Sequence, residues 1–186
     1  MELDRRLGIV LAAAAVAGVS FGALPAKLAV VSCLLGWAML AIAVVDARSF
    51  IIPDVLSLPA IPAGLLASGW LLDPSSAGLA SLDHVIGMAA GGVGLWLVRE
   101  AYFRVRGREG LGLGDVKLAA AAGAWVGWQS LANVILLAAA IALGVIVAVS
   151  YWRGRQLSGA ARIPFGCFLA PSIWLAWLLE IWGRTL

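Results

Sequence analysis

Gly110-Leu111-Gly112-Leu113-Gly114-Asp115-Val116-Lys117 alternates three glycines with leucines and then delivers a single carboxylate. Leu118 to Trp128 follow without a charge, so Asp115 stands where a polar loop enters an apolar segment. The rest of the chain identifies the solvent around that segment. Hydrophobic residues make up 63% and charged residues 12%, with mean hydropathy +1.01. Soluble domains are about half apolar and about a quarter charged. Apolar runs of about 20 residues recur with short polar breaks, which makes residues 1–186 one membrane-embedded domain. The net charge of +3 comes from loop lysines and arginines. No basic patch carries interleaved aromatics, so a nucleic-acid partner is not expected, whereas membrane lipids are.

Upstream, Met1 to Arg6 is short and mixed in charge, and Leu7 to Leu24 is free of charge. Acidic residues before this run argue for a retained helix over a cleaved signal. Leu28 to Val45 forms a second span, and Asp46 stops it. Pro53 and Asp54 suit a helix start, and Val55 to Leu72 is a third span distorted by Pro59 and Pro62. A loop of turn-forming residues leads to the fourth span, Val85 to Val98, whose glycines permit close helix approach. His84 stands just before it and is expected to mark a helix end at an interface.

Downstream, Val116 to Trp128 covers only about 20 Å of a core about 30 Å thick. Leu131 to Trp152 and Ile163 to Trp182 are the last two spans. The expected fold is thus all-α, a polytopic membrane bundle of six to seven segments, one of them short. Cys33 and Cys167 lie in apolar runs without CxxC spacing, so neither a disulfide nor a metal site is expected, and no cofactor is implied.

A cytoplasmic N-terminus puts eleven lysines and arginines inside and two, Lys27 and Arg184, outside. Asp46 then ends a span running inward and Asp115 begins one running outward. Both share the cytoplasmic boundary. Carboxylates at that depth pair or face a wet cavity. A close pair titrates as a unit, one member holding a proton while the other stays charged. That supplies a base for water and an acid for the leaving group. Asp46 and Asp115 are the catalytic candidates. Gly112 and Gly114 would let an extended strand approach the loop. Asp54 is most simply a helix-start residue, Glu109 a loop charge and Lys117 an interfacial cation.

Three segments together resemble the type IV prepilin peptidase family. They are Asp46 to Pro59 with its Ile52-Pro53-Asp54, then Arg108 to Trp128 with Gly112-Leu113-Gly114-Asp115, then Ile163-Pro164-Phe165-Gly166 with Phe168-Leu169-Ala170. The resemblance implies an aspartyl endopeptidase removing short basic leaders from prepilins or pseudopilins at the cytoplasmic face of the bacterial inner membrane. It puts the catalytic pair on Asp46 and Asp115, gives Asp54 no catalytic role and leaves Glu109 as a supporting candidate. Six residues precede the first span and there is no CxxC, so a short, peptidase-only form without N-methyltransferase activity is expected. Cys167 stands where many relatives carry proline. The alternative to an enzyme is a non-enzymatic membrane subunit or proton-coupled transporter, against which the lack of repeated halves argues.

Overall fold

The computed structural model describes residues 2–69, 77–108, 110–153 and 164–185. Six helices follow in order: α1 (Glu2–Ala23), α2 (Ala26–Ser49), α3 (Asp54–Ala67), α4 (Ala77–Arg106), α5 (Leu113–Arg153) and α6 (Gly166–Thr185). There is no strand among the described residues. The expected all-helical class holds. By length and hydropathy, α1, α2, α5 and α6 are each able to cross a membrane.

Local chemistry sets the boundaries. Pro25, extended at φ −57° and ψ 149°, separates α1 from α2 with only Leu24 beside it. At the other end of α2, Phe50 turns left-handed (φ 55°), and its N–H closes on the Asp46 carbonyl at 2.8 Å. Pro53, also extended, then launches α3 with Asp54 in the first turn, where the helix dipole favours an acid. Asp46 therefore contributes its carbonyl to the cap of its own helix, and its side chain is left to face other elements.

α5 is two helices joined at Gly127, whose φ of 72° and ψ of 177° interrupt the ladder. Only glycine takes that conformation without steric cost. A backbone break inside an apolar bundle needs partners for the groups it frees. The Ala124 carbonyl, in the turn before the break, meets His84 Nδ1 at 3.0 Å. His84 is thus a buried residue within α4, not an interfacial helix end. The reason is that α4 runs well beyond Val85–Val98 in both directions, beginning at Ala77 and ending at Arg106. The expected short segment corresponds to the first half of α5.

Side-chain contacts define two ends. At one end lie the last turn of α2, the starts of α3 and α5, the last turns of α4 and the start of α6. Asp54 pairs with Lys117 there, Tyr102 of α4 lies against Gly110, and Asp46 binds the first turn of α6. At the other, Ser130 Oγ donates to Glu180 at 3.3 Å, and His84 closes the α5 break. The core between them is built on fully buried Met39, Ile42, Leu118, Val134, Ile173 and Trp177. Trp125 meets Trp177 edge to face at 5.6 Å and donates its indole N–H to the Ala60 carbonyl at 2.8 Å. Trp37 and Trp96 are about half exposed. Exposed Val10, Val93, Leu136 and Leu143 leave an apolar exterior suited to lipid.

Candidate active site

Asp46 is only 4% exposed, so its carboxylate needs partners. It finds them at the start of α6. Oδ2 accepts the Cys167 N–H at 2.8 Å, and the Gly166 amide adds a second bond. The first turn of a helix has free N–H groups and the positive end of the dipole, which suits an anion. Gly166 is required by the closeness of this approach. A Cβ there would lie 2.9 Å from Asp46 Oδ2 and 2.6 Å from Ile52 Cδ1.

Asp115 is the third residue of α5, and its Oδ2 accepts the Gly112 N–H at 3.2 Å. This is one half of a capping box, an acid at the third helical position reaching back to the residue before the helix. The other oxygen, Oδ1, is buried with no hydrogen-bond partner among the described residues. Such an atom is costly where only structure is at stake. The two carboxylates lie near enough to interact electrostatically, with Asp46 acting on Asp115.

The three glycines of the loop have separate neighbours. Gly110 lies against the Tyr102 ring, Gly112 serves Asp115, and Gly114 packs on Ile52, where an added Cβ would stand 2.9 Å from the Ile52 Cβ. Ile52 is itself buried. Sequence reasoning missed it, because one isoleucine in a semi-apolar connection carries no chemical signal. Its double contact with Gly114 and Gly166 shows only in three dimensions.

Lys117 does not simply reach for an interface. Its Nζ donates to both Asp54 oxygens, at 2.7 and 2.8 Å, tying the start of α5 to that of α3. Asp54 keeps its place in the first turn of α3 and gains this second function. Glu109 lies outside the described residues. No group of three or more His, Cys, Asp or Glu residues suited to a metal occurs among the described residues.

Fold and site together define a class: a polytopic helical membrane protein with two acidic side chains brought together at the converging ends of its helices. Within that class the chain belongs to the Type IV leader peptidase family, whose profile matches residues 33–149, a range containing both aspartates. It is 41% identical over 151 residues to the prepilin leader peptidase/N-methyltransferase of Pseudomonas aeruginosa, covering 81% of this chain and 48% of that protein. The protein of the same name from Aeromonas hydrophila is 39% identical over 154 residues, covering 82% of this chain and 49% of its own. One from Burkholderia pseudomallei is 42% identical over 134 residues, covering 72% and 41%. The chain thus spans about half the length of the curated relatives it matches, or less. No solved structure matches it significantly.

Proposed function

We propose that this protein is a membrane-embedded aspartyl endopeptidase that removes the leader peptide from prepilins or pseudopilins, with Asp46 and Asp115 as the catalytic pair. The observation that carries the reading is that two helix starts packed on Ile52 hold carboxylates from distant parts of the chain within electrostatic range of each other, one of them with an unbonded buried oxygen. Family membership and the printed names of the relatives support it. In this reading the charged carboxylate takes a proton from water as the water attacks the scissile carbonyl. The protonated one hydrogen-bonds the carbonyl oxygen. The tetrahedral intermediate collapses with cleavage of the C–N bond, and an acid proton passes to the departing amine. Gly110 and Gly112 are exposed and lack side chains, which favours close approach of an extended substrate. The Asp54–Lys117 pair keeps α3 and α5 in register beside the site.

The catalytic end carries Arg48, Arg99, Arg104, Arg106, Arg108 and Lys117. The positive-inside rule places that end, and with it the N-terminus, in the cytoplasm. The six helices become seven segments when the halves of α5 are counted separately, in keeping with a multi-pass inner-membrane protein of six to seven segments in contact with lipid. A non-enzymatic reading is not favoured, since both acids lie at one end of the bundle.

The test is purified protein in detergent or lipid, incubated with a candidate prepilin and followed by mass spectrometry of the new N-terminus. The expected result is a single cut at the end of the basic leader, lost in Asp115→Asn with membrane insertion unchanged. An uncut substrate with the wild-type protein, or retained cutting in Asp115→Asn, overturns the proposal.

A further inference from the structure

Ile52 is a side chain on which the starts of α5 and α6 both pack. It presses on Gly114, the neighbour of Asp115, and on Gly166, whose amide binds Asp46. It comes from the connection Phe50–Pro53, which leaves the last turn of α2 just beyond Asp46. The left-handed Phe50 and the extended Pro53 bracket this connection, so its path is set by backbone geometry on both sides. The two glycines leave no space between their backbones and the isoleucine. At Gly114 an added methyl would meet Ile52 Cβ at 2.9 Å, and at Gly166 it would meet Cδ1 at 2.6 Å. Close-packed contacts of this kind transmit small displacements.

We propose that Ile52 is a positioning residue, an apolar spacer that fixes how Asp46 and Asp115 face each other; the proposal rests on the peptidase reading above. Ile52 does not touch the reacting atoms in this assignment. Its branched, stiff side chain sets the separation of two helix starts, and each start holds one carboxylate in place. Shortening it leaves both aspartates present but free to drift, and misplacement by about 1 Å is enough to cost about a hundredfold in rate.

The experiment measures kcat and KM for leader removal in wild type, Ile52→Val and Ile52→Ala, with thermal unfolding in detergent to normalise for folded protein. Ile52→Ala is expected to lower kcat by about tenfold or more with KM changed by less than about threefold, the split that marks lost transition-state geometry. Ile52→Val, which keeps the branch at Cβ, is expected to stay within about threefold of wild type.

A double-mutant cycle supplies the readout that a general packing defect would not give. Gly166→Ala collides with Ile52 Cδ1 and Cγ1, which Ile52→Ala removes, so the pair Ile52→Ala/Gly166→Ala should recover kcat above Gly166→Ala alone. Recovery is partial, because the new methyl still meets Asp46 Oδ2. Gly114→Ala collides first with Ile52 Cβ, which alanine retains, so its pairing with Ile52→Ala should give no recovery. Wild-type kcat in folded Ile52→Ala, a loss confined to KM, or additive effects in the Gly166 cycle overturns the spacer. The wild-type and Asp115→Asn controls decide the peptidase reading separately. If those controls hold and the Ile52 series is flat, only the spacer falls.

Discussion

Replacing Asp46 in two ways separates what its carboxylate does for the fold from the catalytic role proposed for it. Asparagine offers a carbonyl oxygen where the Asp46 carboxylate now accepts the Cys167 amide at Oδ2 and the Gly166 amide, so the start of α6 keeps its acceptor. Charge assistance is lost, and so is the cost of burying a charge. Hydrogen bonds to charged groups contribute about 1.5–3 kcal/mol and neutral ones about 0.5–1.5 kcal/mol, a loss of about 1 kcal/mol per bond that relief of the buried charge offsets, so Asp46→Asn should cost about 1 kcal/mol in all. Alanine leaves two amides without their acceptor, each costing about 1–3 kcal/mol when buried. The Cys167 N–H retains a longer contact with the Pro164 carbonyl at 3.3 Å, which softens its share. The sum for Asp46→Ala is about 2–4 kcal/mol. Leader removal should fall by about a thousandfold or more in both variants, since neither can carry the proton. The assay pairs mass spectrometry of the processed substrate with denaturant unfolding in detergent. Equal instability of the two variants would refute the account of the α6 amides, and leader removal by Asp46→Asn within tenfold of wild type would refute catalysis.

His84→Ala should destabilise the protein by about 1–3 kcal/mol, because the Ala124 carbonyl loses its partner beside the helix break; unfolding curves identical to wild type would show that the carbonyl is satisfied otherwise. Lys117→Met removes an ion pair whose side chains are 36% and 56% exposed, so solvent screening limits the loss to less than about 1 kcal/mol. Leader removal by that variant should stay within about threefold of wild type, and a larger drop at unchanged stability would make Lys117 a substrate contact. Gly123→Ala places a methyl against the Gly87 backbone, which has no flexible end to move aside. It should cost about 3 kcal/mol and lower the yield of folded protein, and a normal melting curve would contradict the close α4–α5 approach.

The charge-free runs and the positions of Pro25, Pro53 and Asp46 were enough to place most of the helices, because proline and charge act locally. α4 exceeded its expected length at both ends. Asp83, His84, Arg99 and Glu100 read as polar flanks in a linear chain, yet a helix accommodates them once neighbours cover one face. The break in α5 was legible as a short apolar segment, but the residue that breaks it is Gly127, within a stretch that reads as continuous. At the site, both aspartates and the Asp54 helix start were visible in sequence. The Ile163–Gly166 segment stood out only by resemblance, and the Cys167 amide just after it binds Asp46 across 121 residues. Ile52 and the Lys117–Asp54 bond were invisible for the same reason.

One feature of the bundle bears on how water arrives. α3 has 14 residues from Asp54 to Ala67, and the first half of α5, from Leu113 to Val126 before the break at Gly127, has the same number. Each is about 21 Å long, roughly 9 Å less than the hydrocarbon thickness of an ordinary bilayer. These two helices lie side by side, joined by Lys117–Asp54 and by Trp125–Ala60. Their shortfall is therefore concentrated on a single flank, where lipid must thin or the headgroup region must dip. Because both helices start at the end that holds the carboxylates, the missing length lies at their far ends, and such a dimple would bring the opposite aqueous phase closer to the buried side of the site. Proteoliposomes of shorter-chain lipid should then support faster turnover than those of longer-chain lipid.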